Sequence, residues 1–120
     1  MIDDGRPIFV QIAEGIEDSI VDGSLAEEAQ VPSTNELAAY HRINPATAAK
    51  GINQLVADGV LYKRRGIGMF VAAGARARLQ DRRREDFTRQ YVAPLMTEAR
   101  QLGLDPAYVK RLIDKWEESP

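Results

Sequence analysis

The sequence predicts a mainly α-helical protein of the α+β class, with an N-terminal winged helix-turn-helix, a small β-hairpin wing and a C-terminal two-helix region. Three observations lead to this fold. Apolar residues recur at helical spacing over residues 7–22. Two capped helix starts follow at Ser33 and Asn44. Two short β-favouring runs, residues 60–62 and 69–71, then flank a glycine-bearing connection, as in a hairpin.

The first helix is predicted over residues 7–22. Pro7 suits the first helical position, where its missing N–H costs nothing. Asp22 and Gly23 end the apolar pattern. The stripe that this helix turns toward the core consists of Phe9, Ile12, Ala13, Ile16 and Ile20.

Two further helices are predicted over residues 34–41 and 45–58. Ser33 and Glu36 have the spacing of a capping box, in which each side chain accepts a hydrogen bond from the other residue's backbone N–H. Asn44 is a favourable N-cap and Pro45 a favourable first helical residue. Because only a few residues separate the two helices, they have helix-turn-helix spacing.

The third helix separates an apolar face from a polar one. Its apolar face, toward the core, carries Ala48, Ile52, Leu55 and Val56. Its opposite face, which is small at the N-terminal end and carries one cation, consists of Ala46, Thr47, Lys50, Asn53 and Gln54. The wing, residues 63–69, follows, and its tip is cationic because Lys63, Arg64 and Arg65 precede Gly66 and Gly68.

A domain boundary is predicted near residue 73, which gives a winged helix-turn-helix domain over residues 1–73 and a dimerisation region over residues 74–120. An apolar stripe on residues 75–102 indicates a long helix that Pro94 should kink or divide near Tyr91. Asp105 and Pro106 begin a last helix. Since two helices cannot enclose a core, we expect a homodimer. The predicted dimerisation residues are Leu79, Phe87, Tyr91, Leu95, Leu102, Tyr108, Leu112, Ile113 and Trp116.

Charge is distributed unevenly although the net formal charge is only -2. Residues 1–40 carry nine acidic residues and one basic residue, which sum to -8. Residues 41–72 carry five basic residues and one acidic residue, which sum to +4. This asymmetry indicates that one local face, rather than the whole surface, meets a polyanion.

The polyanion that fits the cationic face is double-stranded DNA. A recognition helix for the major groove needs a slim N-terminal end rich in hydrogen-bond donors. Helix N-termini offer backbone N–H groups to phosphate, and a basic wing suits the minor groove. The predicted DNA-binding residues are Ser33, Thr34, Asn35, Arg42, Asn44, Pro45, Ala46, Thr47, Lys50, Arg64, Arg65, Gly66 and Gly68.

Residues 7–72 resemble the N-terminal winged helix of the GntR family of bacterial transcription regulators. The stretch PSTNELAAYHRINPATAAKGINQLVADGVLYKRRGIGMFV is similar to that family's Pro-Ser-x-x-x-Leu-Ala signature, Thr-containing recognition helix and Gly-x-Gly-x-Phe-Val wing. The Asn44-Pro45-x-Thr47 form and the tail EARQLGLDPAYVKRLIDKW resemble the YtrA-type branch, which has a short two-helix dimerisation region. The resemblance implies a homodimeric repressor on a palindromic operator near the genes it regulates.

Two positions depart from the family pattern. Asn35 stands where the family commonly has Arg, and Ala49 stands where many members have Arg after the recognition Thr. Each departure removes a long bidentate donor. We therefore expect either a different base preference or weaker DNA binding.

An enzyme is not expected from this sequence. The single histidine, His41, has no nucleophile–base partner in the pattern, and without cysteine or metal-ligand spacing no metal or cofactor is predicted. The acidic N-terminus, Met1 to Asp4, lacks the features of a signal peptide, so a soluble cytoplasmic protein is expected.

Two alternatives remain open at the level of sequence. A winged helix can also serve as a protein- or RNA-interaction module, although the slim polar helix face and basic wing favour DNA. An unidentified small-molecule effector could bind at the dimer interface around Phe87, Tyr91 or Trp116. The competing interpretation is that these aromatic residues form the dimer core.

Overall fold

The computed structural model describes residues 5–118. Residues 1–4, on which the signal-peptide argument depends, lie outside this range. The elements in chain order are α1 (Ile8–Val21), α2 (Thr34–His41), α3 (Pro45–Ala57), β1 (Leu61–Arg64), β2 (Gly68–Val71), α4 (Ala75–Phe87), a π-helical turn (Thr88–Val92), α5 (Ala93–Gln101) and α6 (Pro106–Glu118). The predicted fold class, mainly helical with a two-stranded wing, is confirmed.

The chain divides into two compact units, Met1–Asp81 and Arg82–Pro120, and the division falls inside α4. The domain ranges predicted from the sequence, 1–73 and 74–120, remain a prediction. Within the described residues, no helix is both long and apolar enough to cross a bilayer.

The core of the first unit is formed by the apolar faces of α1, α2, α3 and the hairpin. Gly51 allows α1 to approach α3 closely, because a Cβ at this position would lie 2.8 Å from the backbone oxygen of Phe9. The buried residues at the centre of this core are Ile12, Ile16, Ile20, Leu37, Ala48, Ile52, Leu55, Leu61 and Val71. The apolar stripes predicted for α1 and α3 therefore supply about half of the core that the structure describes.

The hairpin is extended by a segment that the sequence did not reveal as a strand. β1 and β2 pair antiparallel, with Leu61 opposite Val71 and Arg64 opposite Gly68. On the other edge of β2, Val71 accepts a hydrogen bond from the Glu28 N–H (2.8 Å), and the Val31 N–H donates to Met69 (2.8 Å). Residues 28–31 thus hold β2 from the side opposite β1.

The beginning of α4 belongs to the first unit. Ala75 and Leu79 are buried in its core, and Leu79 is only 2% exposed. The Arg76 Nε donates to the Val21 backbone oxygen (3.1 Å), and the Arg78 Nη2 donates to that of Gly59 (2.7 Å). The prediction that Leu79 is a dimerisation residue is therefore wrong, because packing within its own chain already occupies this side chain.

The second unit begins with the end of α4 and contains the predicted interruption before Pro94. The Ala93 N–H donates to the Thr88 oxygen five residues earlier, which is the π-helical pattern. Proline lacks the N–H that an α-helix would use here, and its ring clashes with the carbonyl of the preceding turn. The wider π-helical turn relieves both problems, and α5 resumes at Ala93.

α5 and α6 of the second unit are joined by a tight turn at Gly103. The Leu104 N–H donates to the Ala99 oxygen (2.8 Å), and the Asp105 carboxylate accepts from the Tyr108 N–H (2.8 Å) to begin α6. Ala99 and Val109 are the buried hydrophobic residues described in this unit. The remaining large apolar side chains of the predicted dimerisation set are exposed: Phe87, Tyr91, Leu95, Leu102, Tyr108, Leu112, Ile113 and Trp116.

Candidate nucleic-acid interface

The N-terminus of α2 is closed by the predicted capping box. The Glu36 N–H donates to the Ser33 Oγ (3.1 Å), and the Ser33 N–H donates to the Glu36 carboxylate (3.0 Å). Hydrogen bonds to this carboxylate from the Ser33 backbone N–H and from the Ser33 side chain lower the pKa of Glu36 below its ordinary value. Thr34 and Asn35 follow on the first turn, and Asn35 is exposed.

The turn between α2 and α3 places the N-terminus of α3 at the surface. Arg42 ends α2 in the left-handed conformation (φ 55°), and its side chain is exposed. Asn44 caps α3, since its Oδ1 accepts a hydrogen bond from the Ala46 N–H (2.8 Å). Pro45 and Ala46 are exposed, and Thr47 is half-buried. The Asn44 amide N–H groups and the Thr47 hydroxyl are therefore the donors offered at the tip of α3.

Lys50 lies on the same helix, one turn further along, and contacts α1. Its Nζ is 4.1 Å from the centroid of the Phe9 ring, which is a cation–π contact. Gly51 sets this arrangement, because its missing Cβ leaves room for the Phe9 backbone. The sequence analysis placed Lys50 on the polar face but missed its aromatic partner, which lies 41 positions earlier in the chain.

The wing is a short hairpin with a glycine turn. The Ile67 N–H donates to the Arg64 oxygen (3.0 Å), and Gly66, between them, has φ +76°. A positive φ at the third position of such a turn strongly favours glycine. Arg65 is exposed at the tip. Gly66, which the sequence places among the DNA-binding residues, is thus required by the turn itself.

Arg64 is held against the sheet rather than projecting freely from the tip. Its guanidinium lies 4.7 Å from the centroid of the Phe70 ring, and the Phe70 ring stacks on Tyr62 at 5.9 Å. The Tyr62 hydroxyl donates to the Glu28 carboxylate, and this bond raises the pKa of Tyr62. Arg64 and Arg65, which the sequence treats alike, therefore have different surroundings.

Gln30 is a further residue of this region that the sequence analysis missed. Its side-chain Nε2 donates to the Ile67 oxygen in the wing turn (3.0 Å). A Cβ on Gly68 would lie 2.6 Å from the same Nε2. No local pattern marks Gln30, because its partner is 37 positions away.

Comparison with known proteins supports the same region as the functional one. Residues 9–71 match the family described as bacterial regulatory proteins, gntR family. YhcF of Bacillus subtilis (strain 168), named an uncharacterized HTH-type transcriptional regulator, is 29% identical over 99 residues, which cover 82% of this chain and 80% of YhcF. The HTH-type transcriptional repressor YtrA of the same strain is 24% identical over 112 residues, which cover 93% of this chain and 80% of YtrA.

Other relatives are longer than this chain. Several of them match over 64–66 residues, and the matched part makes up only 26–27% of their length. The similarity to YhcF and YtrA, in contrast, extends over most of both chains.

Solved structures resemble both the whole chain and its first unit. A GntR family transcriptional regulator from Listeria monocytogenes superimposes with a TM-score of 0.76 at 25% identity, covering 95% of this chain and 98% of that one. The DNA-binding domain of AraR in complex with operator ORR3 superimposes with a TM-score of 0.51 at 34% identity, covering 53% of this chain and 77% of that one. The second structure is a DNA complex of a domain similar to the first unit.

Proposed function

Because the chain belongs to the gntR family of bacterial regulatory proteins and is a DNA-binding transcriptional regulator, we propose that it acts as a homodimeric repressor on a palindromic operator. α3 enters the major groove, and the wing, residues 63–69, lies at the minor groove. The working compartment is the cytoplasm. A homodimer matches this operator symmetry, because two recognition helices related by a two-fold axis read two equivalent half-sites.

The groove assignment depends on two observations, the exposed and capped N-terminus of α3 and the cationic hairpin that follows this helix in the chain. Pro45 and Ala46 are exposed and short, so the helix end can approach base edges. Asn44 and Thr47 supply hydrogen-bond donors there. Arg65 supplies a cation at the wing tip, where Gly66 keeps the turn narrow.

Phosphate contacts fall to the residues around these two elements. Ser33, Thr34 and Asn35 stand at the N-terminus of α2, where backbone N–H groups and the helix dipole favour an anion. Arg42, Lys50 and Arg64 add positive charge. Gly68 shapes the wing without contributing a side chain of its own.

The two departures from the family pattern bear on base preference. Ala49 is partly buried on α3 and Asn35 is exposed on α2. Neither can form the bidentate contact that an Arg makes with guanine. The preferred operator therefore differs at the base pairs that those arginines would read.

Dimerisation is assigned to the second unit because its apolar side chains lack cover within the described chain. Trp116 is 83% exposed, and Leu112, Ile113 and Tyr108 are exposed on the same helix. Exposed apolar side chains grouped in this way mark an interaction surface. A second copy of this unit would cover the surface and would also provide the two-fold symmetry of a palindromic operator.

An effector, if one exists, binds between subunits. Two grooves described within the second unit measure about 350 Å³ and about 230 Å³ and are open to solvent. Drug-sized ligands usually occupy about 300–1,000 Å³ and are mostly enclosed. A second subunit is needed to close either groove over a ligand.

The proposal is tested by measuring binding to a duplex from the chain's own regulatory region over a range of salt concentrations. We expect a steep fall in affinity with salt, because phosphate contacts release counterions. Arg65→Ala should lower the salt slope by about one. Arg6→Ala is the control, since it removes the same charge from a residue paired with Glu14 on α1. No binding at low salt, or equal effects of the two variants, would contradict the groove assignment.

A further inference from the structure

We infer that Gln30 is a positioning residue for DNA recognition: its side-chain amide fixes the wing turn that presents Arg65. This inference rests on the proposed function for its consequence in DNA binding. The bracing itself is a property of the free protein and can be measured without DNA.

The hydrogen bonds at Ile67 show how the turn is held. The Ile67 N–H donates to the Arg64 oxygen (3.0 Å), which closes the turn from within. The Ile67 oxygen accepts a hydrogen bond from the Gln30 Nε2 (3.0 Å), which fixes the same residue from outside the hairpin. Both backbone polar groups of Ile67 are therefore satisfied, and the turn is fixed in relation to the rest of the first unit.

Gly68 provides the space for this amide. Its φ of +146° is unfavourable for residues with a side chain, and an added Cβ would lie 2.6 Å from the Gln30 Nε2. The three nearest atoms to that Cβ all belong to Gln30. The turn geometry explains why residue 66 is a glycine. The space needed by the Gln30 amide explains why residue 68 is also a glycine.

The backbone around Gln30 is itself well fixed. The Glu28 N–H and the Val31 N–H donate to β2, and the Ala29 oxygen accepts from the Val71 N–H (3.0 Å). Three residues after Gln30, Ser33 caps α2. One short segment therefore carries both the wing brace and a proposed phosphate-binding helix end, so the wing tip and α2 are held in a set relation.

The test compares Gln30→Met with a matched control, Gln11→Met. Methionine keeps the length of the side chain but cannot donate a hydrogen bond. Gln11 also donates from Nε2 to a backbone oxygen, that of Arg6, at 3.0 Å, but it lies on α1. In the free protein we expect faster exchange of the Ile67 amide hydrogen, which bonds to the Arg64 oxygen, in Gln30→Met, with wild-type exchange there in Gln11→Met. Unchanged exchange in Gln30→Met would show that the hydrogen bond from Gln30 does not fix the wing turn.

The consequence for recognition is tested with a duplex enriched from a random library by the wild-type protein. Gln30→Met should weaken binding about threefold to tenfold, the range expected for one net hydrogen bond. Arg65→Ala should cost less in the Gln30→Met background than in the wild type, because the loosened turn no longer presents Arg65 well. Additive effects would show that Gln30 does not act through the wing.

Two further results keep the outcomes distinct. Gln30→Lys retains an N–H donor of sufficient reach, so it should restore slow exchange in the wing if the hydrogen bond is the cause. If Gln30→Lys and Gln30→Met exchange equally fast, the amide bond is not what fixes the turn. If the wild-type protein enriches no duplex at all, the proposed function is wrong. The exchange measurements then still show whether the Gln30 hydrogen bond fixes the wing turn.

Discussion

The two compact units differ in how completely each encloses its own apolar residues. In the first unit, α1, α2, α3, the hairpin and the start of α4 share one continuous core. In the second unit, the described chain buries Ala99 and Val109 but leaves a whole set of larger side chains exposed. The first unit can therefore be stabilised by its own sequence, whereas the exposed apolar side chains of the second unit are the ones that the proposed dimer would cover. Substitutions in the first unit should accordingly lower its stability, whereas substitutions in the second unit should weaken dimerisation.

The largest expected effect comes from charging the exposed face of α6. Leu112→Lys combined with Trp116→Lys should give a monomer, because two ammonium groups cannot be buried unpaired in an apolar interface. Operator affinity should fall about 100-fold or more, since the two DNA-binding units are no longer linked. Sedimentation velocity and gel shift measure the two effects. Tyr40→Lys is the control, because Tyr40 is 82% exposed on the first unit and should leave the dimer intact.

A smaller effect separates Leu79 from the dimerisation residues. Leu79→Ala should lower the free energy of unfolding of the first unit by about 2–5 kcal/mol, because it leaves a cavity in a closed core. Leu79→Ala should leave the mass of the dimer in solution unchanged. Leu102 is an exposed leucine of the second unit. Leu102→Ala should therefore weaken dimerisation and leave the free energy of unfolding of the first unit unchanged. Chemical denaturation and sedimentation decide between them, and a monomeric Leu79→Ala protein would refute this division.

Gly15 on α1 and Gly51 on α3 test how closely these two helices pack in the core of the first unit. Gly51→Ala should destabilise the protein by about 1–3 kcal/mol, because its Cβ would press on the Phe9 backbone and overpack the helix contact. Gly15→Ala is the matched control, since nothing lies within 4 Å of an added Cβ there. Alanine at 15 should stabilise the helix by up to about 1 kcal/mol. Equal melting temperatures for the two variants would contradict the close packing at Gly51.

The smallest effect concerns the cap of α2 and depends on pH. The folded state lowers the pKa of Glu36, so the stability that this carboxylate contributes is present above its ordinary value of 4.5 and is lost as pH falls through the lower folded value. Ser33→Ala should cost about 1 kcal/mol at neutral pH. The difference in stability between Glu36→Gln and the wild type should narrow on acidification below pH 4.5, because this variant removes the carboxylate that accepts from the Ser33 backbone N–H. A difference that stays constant with pH would show that the capping box does not hold Glu36.

Much of the fold could be predicted because its signals are local. The capping box at Ser33, the Asn44-Pro45 start and the glycine-bearing hairpin are each written in a few consecutive residues, and the structure contains all three. Pro94 likewise indicated an interruption that the π-helical turn confirms. Local chemistry of this kind does not depend on the rest of the chain.

What the sequence did not reveal depends on contacts between distant residues. Leu79 has the same spacing as the exposed stripe of the C-terminal helices, so periodicity alone assigned it to the dimer. Residues 28–31 are too short a run to read as a strand, and Gln30 and Phe9 gain their roles only when the wing and α3 fold against them. The predicted DNA-contacting residues and the remaining dimerisation residues stay predictions until the experiments above are made.

The π-helical turn at Thr88–Val92 also sets the rotational phase of everything that follows it. An α-helix advances about 100° per residue. A bond that spans five residues instead of four therefore offsets the angular position of α5 by about one residue relative to the end of α4. The face that α5 presents is fixed by the number of residues in this turn as much as by their identity. Converting residues 88–92 to regular α-helix without changing their number would thus turn Leu95 and Leu102 by about 100° relative to the end of α4, while leaving every apolar side chain of the second unit in the sequence.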